Sequence, residues 1–178
     1  MSREKPSAKY RIRRLHPWEV AEARKVFGDS LNYDKVRLHE GALFTNWIDQ
    51  IGQRLKGIKP HKVQNAITLG NHCLFPEAFP THPVLPGDPE HTKIGWLIHE
   101  LTHAWQFQHM GWAYLFQALK AQFKAKGNVY EYGHEDGLKS RRREGWKVNT
   151  FSLEQQGEIC RCYYEKLCRG EDLSSWEP

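Results

Sequence analysis

Hydrophobic residues recur at helical spacing in the middle of this chain. From about Thr92 they are three or four positions apart, which predicts a helix with one buried face (Ile94, Leu97, Ile98, Leu101 and Trp105). The pattern resumes after Gly111 and predicts a second buried helix that ends at Gly127 (Trp112, Leu115, Phe116, Leu119 and Phe123). We therefore expect two buried helices, one directly after the other.

Two further helices are indicated by residues that favour helix ends. Pro17 suits an early helical position, and Gly28 can end the helix that begins there. Near the carboxyl end, Ser152 and Gln155 have the spacing of a capping box. A long last helix should therefore run over residues 152–169.

Alternating polar and apolar positions predict strands. Val36 and Leu38 alternate with charged neighbours within residues 33–41, as they would in a half-buried strand. A second strand is predicted for residues 65–75, whereas the proline-rich residues 76–89 should form a loop.

The remaining segments complete a single-domain α+β architecture, mostly helical with a small β-sheet. Residues 43–56 have a weaker helical pattern, and residues 128–150 are expected to be irregular and polar. Residues 1–15 are predicted to be a flexible basic arm, and residues 16–178 one domain.

Composition and charge exclude several classes of protein. Hydrophobic residues make up 39% of the 178 residues, as in compact domains, but no apolar run approaches the roughly 18 residues that cross a bilayer. We predict no transmembrane segment and no secretory signal. The net charge of +5 is too small to indicate a specific nucleic-acid partner. The four cysteines lack the CxxC spacing of thiolate zinc sites, so we expect no zinc site built from thiolates. Cys73 could form a disulfide with one of the other three, but we expect reduced, buried thiols.

The helix that begins near Thr92 carries a chemical motif, HELTH, from His99 to His103. Histidines four residues apart lie on one face of a helix, so both imidazoles can bind one metal ion. This is the HExxH arrangement of zincin peptidases. One Zn²⁺ would polarise the scissile carbonyl and lower the pKa of its water to about 7. Glu100 would be the general base; the alternative is a helix with two partly buried structural histidines.

A catalytic zinc needs a third protein ligand, and His109 is one candidate. It stands ten residues after His99, as in the HExxHxxGxxH pattern of metzincins. That pattern needs glycine at the position of Gln106 and a methionine turn downstream, but no methionine follows residue 110. A continuous helix would carry His109 about 9 Å beyond His103. We therefore expect His109 to be an ordinary histidine at a helix end.

Glu154, on the last predicted helix, is the preferred third ligand. Glu158 follows four residues later on the same helical face. It could accept the N–H of a ligating histidine and so fix the tautomer of that side chain. The alternative is a pair of solvated helix charges.

Three stretches of the sequence together resemble a known family. They are FGDS-x-x-Y-x-x-V-R starting at Phe27, the HExxHxWQ run ending at Gln106, and E-x-Q-G starting at Glu154. Over roughly residues 14–169 the chain is similar to the metallopeptidase domain at the carboxyl end of some VgrG spike proteins of bacterial type VI secretion systems. It is also similar to HExxH domains of related contractile injection systems.

The resemblance implies a zincin-like domain in which His99, His103 and Glu154 bind zinc and Glu100 is the general base. It also implies an antibacterial toxin, present in the cytoplasm of the producing cell and delivered without a signal peptide to the periplasm of a recipient cell. Its expected partners are a protein or peptide substrate, an immunity protein, and a secretion spike or chaperone. Residues 46–75 match less well, so the substrate specificity does not transfer.

Zincin sites also contain a donor for the developing oxyanion and a sheet edge for the substrate. Tyr130, Tyr132 and His134 lie between the motif helix and Glu154. Tyr132 is the candidate donor, with a packing role as the alternative. Residues 66–71 are the candidate edge, with an ordinary core strand as the alternative.

Two other functions fit parts of the pattern. The first is a binding module that holds zinc structurally and cuts nothing. The second is a DNA-associated zinc protease of the SprT type, which the basic charge and the HExxH motif suggest. The sequence lacks the third-histidine pattern and the cysteine ribbon expected of that type.

Overall fold

The computed structural model describes residues 10–42, 66–85, 87–112 and 132–176. These residues contain four helices, α1 (Pro17–Phe27), α2 (His91–Met110), α3 (His134–Arg143) and α4 (Leu153–Arg169). They also contain four short strands, β1 (Arg11–Arg13), β2 (Arg37–Glu40), β3 (Ile67–Leu69) and β4 (His72–Phe75). The described chain is therefore α+β and richer in helix than in strand, as predicted. None of its helices is both long and apolar enough to cross a membrane.

The four strands form one mixed sheet in the order β1-β2-β4-β3. Strand β2 is antiparallel to β1 and parallel to β4, and β4 is antiparallel to β3. The single strand predicted for residues 65–75 is wrong, because β3 and β4 form a hairpin with a two-residue turn at Gly70 and Asn71. Gly70 has a φ of 64°, a left-handed conformation that glycine adopts without steric cost and that lets the chain reverse.

The flexible arm predicted for residues 1–15 extends too far into the chain. Arg11–Arg13 form strand β1, with Ile12 opposite His39 of β2. The Arg13 side chain is only 11% exposed and makes ion pairs of 2.6 Å with Glu19 and 2.8 Å with Glu40. These contacts hold in place a part of the backbone that the sequence pattern predicted to be flexible. The rest of the predicted arm, residues 1–9, lies outside the described residues.

Helix α2 lies at the centre of the fold. Its apolar residues pack with the sheet, α1 and α4 in a buried core (Val36, Leu38, Cys73, Phe75, Ile94, Leu97, Ile98, Leu101 and Tyr164). The predicted apolar face is confirmed, but α2 is buried almost all round, since His99, Glu100, Thr102 and His103 are buried too. Buried polar groups are costly unless they find partners. The partners of these four buried polar side chains therefore show where a functional site can lie.

The ends of α1 and α4 agree with the sequence signals. Helix α1 begins at Pro17 and stops before Gly28. Helix α4 begins with the predicted capping box, in which the Ser152 side chain accepts from the backbone N–H of Gln155, and it stops before Gly170. The local chemistry of these termini was sufficient to place both helices.

Helix α3 contradicts the irregular segment predicted for residues 128–150. Only Leu138 of this helix is buried, so no apolar stripe marks it in the sequence. Acidic residues in its first turn and arginines in its last turn interact favourably with the helix dipole and so stabilise the helix. Gly137 lies inside this helix, and a Cβ there would lie 2.5 Å from the carbonyl oxygen of Tyr132. The glycine permits close packing inside a helix.

Several predictions fall on residues outside the described ranges. The weak helix of residues 43–56 lies outside them, as does nearly all of the second buried helix after α2. The first residue of that second helix, Trp112, was expected to be buried and is instead 59% exposed in the turn after α2. All four cysteines are free thiols, as expected, and burial raises the pKa of Cys73 to about 12.

Candidate metal centre

Helices α2 and α4 bring together three side chains that could hold a metal ion. The Nε2 atom of His99 lies 3.6 Å from Oε2 of Glu154, and the Nε2 atom of His103 lies 3.5 Å from the same oxygen. One donor atom from each residue lies within 4.8 Å of the others. His99, His103 and Glu154, here called the metal triad, therefore converge on one point although 50 residues separate the two helical motifs in the chain.

The dimensions of the metal triad suit zinc. Zinc ligands lie about 2.0–2.2 Å from the ion, so two ligands of a tetrahedral site are about 3.3 Å apart. The separations of 3.5 and 3.6 Å are close to that value and too long for direct hydrogen bonds. Two imidazoles and one carboxylate are also the ligands of many catalytic zinc sites, which keep a fourth position open.

The charges in the metal triad favour a bound cation. Among the described residues, the ion-pair partners of Glu154 are His99 and His103. Burial raises the pKa of Glu154, but its contacts with both imidazoles outweigh burial and hold that pKa well below its usual range. Burial lowers the pKa of His99, but Glu154 and Glu158 raise it to about 9. A metal ion binding here therefore competes with protons on the imidazoles.

Each histidine of the triad has a polar neighbour at its Nδ1 atom. His99 Nδ1 lies 3.6 Å from Oε2 of Glu158, the predicted outer partner, and contact with His99 lowers the pKa of Glu158. That distance is longer than a hydrogen bond, and the positioning role of Glu158 stays a prediction. His103 Nδ1 lies 2.9 Å from Oε1 of Gln106. The sequence pattern missed this partner, although a spacing of three residues on a helix could have revealed it.

Gly157 lets helix α4 approach the metal triad closely. A Cβ atom at this position would lie 2.8 Å from Cε1 and 2.9 Å from Nε2 of the His99 imidazole. Any larger residue would push the ring away from Glu154, which lies one helical turn before Gly157. The E-x-Q-G motif contains this glycine, but its role was invisible without the facing helix.

The predicted general base is held by the edge of the sheet. Thr68 in β3 donates a hydrogen bond of 2.7 Å to Oε2 of Glu100, whose side chain is buried. Among the described strands, β3 is an outer strand of the sheet, as predicted for residues 66–71. The strand proposed to pair with a substrate therefore contacts the proposed base directly.

Tyr132 packs in a second hydrophobic cluster (with Leu138, Phe151, Ile159 and Trp176). It is 2% exposed, and its ring packs edge-on against Trp176. These contacts agree with the packing alternative, and a role as oxyanion donor stays a prediction. His134 packs against the ring of Tyr132, while Tyr130 lies outside the described residues.

His109 lies where a continuous helix places it. Helix α2 runs unbroken to Met110, and Nδ1 of the exposed His109 is 2.8 Å from the carbonyl oxygen of Trp105. That nitrogen therefore donates to the backbone of its own helix. The expectation of an ordinary histidine at a helix end agrees with this position.

Comparison with known proteins relates the chain to bacterial type VI secretion. It is similar to the type VI secretion system spike protein VgrG2b of Pseudomonas aeruginosa, with 26% identity over 163 residues. The match covers 85% of this chain but 13% of the spike protein, so the chain spans a small part of that relative's length. No protein-family model and no solved structure matches the chain.

Proposed function

We propose that this chain is a zinc-dependent metallopeptidase that acts as an antibacterial type VI secretion toxin. The observation that carries the proposal is the convergence of His99, His103 and Glu154 beside the buried carboxylate of Glu100. The similarity to a secretion spike protein supports the secretion context. The periplasm of a recipient cell and an immunity protein belong to the same proposal.

Hydrolysis divides the work between the metal triad and Glu100. A zinc ion, when bound, polarises the scissile carbonyl and makes a water molecule easier to deprotonate. Glu100 takes a proton from the attacking water as the water oxygen bonds to the carbonyl carbon. It then gives that proton to the amine nitrogen as the C–N bond breaks. Because Thr68 donates to Oε2 of Glu100, we assign the proton to Oε1.

The substrate in this proposal is a protein segment in extended conformation. It would pair its backbone with β3, the outer strand that carries Thr68. Such pairing recognises the backbone of the substrate and would place one of its peptide bonds next to Glu100. The side chains that the enzyme prefers would be set by residues near β3 and the metal triad.

The test is the exchange Glu100→Gln, with Glu90→Gln as the matched control at the exposed start of the same helix. We expect Glu100→Gln to keep one zinc and the melting temperature of the wild type, because Glu100 is not in the metal triad. Peptidase activity should fall by at least about 100-fold, in line with the loss of a general base. Wild-type protein directed to the bacterial periplasm should be toxic, the Glu100→Gln variant harmless, and cytoplasmic expression tolerated.

Three results would contradict the proposal in different ways. A wild-type chain that binds no zinc would remove the metal site. Toxicity that survives Glu100→Gln, in a protein that does bind zinc, would indicate a zinc-holding module that cuts nothing. Peptidase activity that depends on DNA would instead indicate a protease of the SprT type.

A further inference from the structure

We propose that Gln106 and Gln156 are positioning residues that fix the tautomer of His103 and so present its Nε2 atom to the metal. This role depends on the proposed zinc site, since it concerns how one ligand of that site is oriented. Gln106 and Gln156 lie on the two helices that carry the metal triad.

A continuous series of hydrogen bonds joins His103 to the start of α4. Gln156 donates from Nε2 to the carbonyl oxygen of Phe151 at 2.8 Å. Gln106 donates from Nε2 to Oε1 of Gln156 at 3.0 Å and to the carbonyl oxygen of Leu153 at 3.1 Å. Oε1 of Gln106 then lies 2.9 Å from Nδ1 of His103.

The backbone carbonyls fix the direction of the whole series. A carbonyl oxygen can only accept, so the amide nitrogen of Gln156 must face Phe151 and its oxygen must face Gln106. The amide nitrogen of Gln106 must then face Gln156 and Leu153, which turns its oxygen towards His103. Nδ1 of His103 must therefore carry a proton and donate it. The lone pair of the neutral imidazole is left on Nε2, the atom that faces Glu154.

Burial makes this arrangement rigid. Gln106 is fully buried, and Gln156 and His103 are less than a tenth exposed. Turning the Gln106 amide over would place its oxygen against two other oxygens and its N–H groups against the His103 ring. Unpaired buried polar groups are destabilising, so the turned arrangement is strongly disfavoured.

Gln106 also links the two helices at the third ligand. Its contact with the carbonyl oxygen of Leu153 is made one residue before Glu154. The side chain that orients one ligand thus also fixes the backbone that carries another. The outer partners of zinc ligands typically change metal affinity by about 10–100-fold when removed.

The experiment compares Gln106→Leu, Gln106→Glu and the control Gln108→Leu. Gln108 lies on the same helix, but its side chain contacts Asn32 and Asn71, away from the metal triad. Zinc affinity is measured by competition with a chelator, and the melting temperature is measured on the zinc-free proteins. The zinc-free measurement reports any loss of packing that does not involve the metal.

We expect Gln106→Leu to bind zinc about 10–100-fold more weakly than the wild type. Gln106→Glu keeps an oxygen opposite Nδ1 of His103 but loses both N–H donors. It should therefore melt at a lower temperature, as Gln106→Leu should, yet bind zinc within about threefold of the wild type, a gap of less than 1 kcal/mol. Gln108→Leu should leave zinc affinity unchanged.

NMR of zinc-loaded protein with ¹⁵N-labelled histidine gives a second measurement. The Nδ1–H proton of His103 should exchange slowly in the wild type and in Gln106→Glu, and quickly in Gln106→Leu. If Gln106→Leu does not fold, Gln156→Leu replaces it, because Gln106 then keeps its bond to Leu153. That variant should bind zinc less than tenfold more weakly than the wild type, and its His103 Nδ1–H proton should exchange faster than in the wild type. Unchanged zinc affinity and unchanged exchange in Gln156→Leu would overturn the role of Gln156.

Two outcomes would overturn the positioning role while the zinc site stands. One is zinc binding by Gln106→Leu as tight as that of the wild type. The other is equal weakening in Gln106→Leu and Gln106→Glu, which would mean that Gln106 acts only through packing. A wild-type chain without zinc affinity would instead show that the proposed function itself is wrong.

Discussion

Two regions of this protein contain carboxylates with little exposure to solvent, one beside strand β1 and one between helices α2 and α4. The first region is an arginine cluster (Arg11, Arg13, Glu19 and Glu40), in which the guanidinium groups contact the carboxylates at 2.6–2.8 Å. The second is the metal triad, in which Glu154 faces two imidazoles at 3.5 and 3.6 Å. The contacts in the arginine cluster are at hydrogen-bond distance, whereas those in the metal triad are longer than hydrogen bonds.

This difference distinguishes a structural ion pair from a candidate metal-binding site. Arginine keeps its charge at all relevant pH values and has no lone pair to offer a metal, so the arginine cluster is complete by itself. Imidazole can lose its proton and then offers a lone pair. A largely buried carboxylate that faces imidazoles across more than hydrogen-bond distance is therefore suited to a cation.

The largest effect is expected from a substitution that disrupts the metal triad and leaves the arginine cluster intact. Glu154→Gln should weaken zinc binding by more than about 100-fold, because losing a ligand costs more than losing an outer partner. The same exchange at Glu40 should lower the free energy of unfolding and leave zinc affinity unchanged. Isothermal titration of both variants with zinc makes the comparison. If His109→Ala weakened zinc binding more than Glu154→Gln, His109 would be the third ligand.

The second substitution disrupts the arginine cluster and leaves the metal triad intact. Arg13→Met leaves the buried carboxylates of Glu19 and Glu40 without their shared partner, which should lower the free energy of unfolding by about 3–5 kcal/mol. Arg14→Met is the control, because Arg14 is 66% exposed and pairs with Asp34 at 3.7 Å. It should cost about 0–1 kcal/mol. Urea unfolding of the zinc-free proteins measures both, and equal losses would mean that the arginine cluster contributes little.

A third exchange moves one ligand without removing it. Gly157→Ala places a methyl group against the His99 imidazole, and such overpacking typically costs about 1–3 kcal/mol. Both the melting temperature and the zinc affinity should fall.

Gly95→Ala is the matched control for Gly157→Ala. Its methyl group would meet the flexible carboxyl end of Glu165, which can move aside. Alanine is favoured over glycine in a helix by about 1 kcal/mol, so this variant should be as stable as the wild type or more stable. Unchanged zinc affinity in both variants would show that the His99 ring does not need its present position.

These predictions concern a candidate metal site that the sequence revealed only in part. The HExxH motif and the capping box are local patterns, so His99, Glu100, His103 and the start of α4 could be placed from spacing alone. Glu154 followed from the need for a third ligand. Gln106 entered the sequence analysis only as the position where metzincins have glycine and as the end of the HExxHxWQ run. The partners that orient it, Leu153 and Gln156, lie some 50 residues further along the chain.

The fold was predictable to a similar extent and for the same reason. Helices α1, α2 and α4 carry an apolar stripe or end signals of their own. Strand β1 depends on Arg13 meeting Glu40, which is 27 residues away, and no local pattern reveals such a pair. Helix α3 buries only Leu138, so its periodicity is too weak to read.

The smallest expected effect separates the histidines of the two regions by pH. His39 lies beside β1, with its Nδ1 2.7 Å from the Tyr10 hydroxyl and its Nε2 2.8 Å from His72. Burial and the neighbouring His72 lower the pKa of His39. The neutral form is therefore favoured in the folded state, and its contribution to stability is lost as the pH falls below about 6.5.

In the metal triad the sign is reversed. The pKa of His99 is raised to about 9, so in zinc-free protein its contribution is complete below about pH 6.5 and is lost as the pH rises towards 9. Between pH 5 and 6.5 the slope of melting temperature against pH should therefore report His39, and His72→Asn should flatten it. An unchanged slope in His72→Asn would contradict this assignment.

The short hairpin of β3 and β4 sets the distance at which the proposed base is held. Thr68 pairs with Cys73 in the sheet, and in this register its hydroxyl points to Glu100. Side chains alternate along a strand, so one residue added between Thr68 and the turn would rotate the hydroxyl to the opposite face. The loop from β4 to α2 has no such register and can change length without that penalty. The number of residues in the hairpin is therefore part of what positions the proposed base.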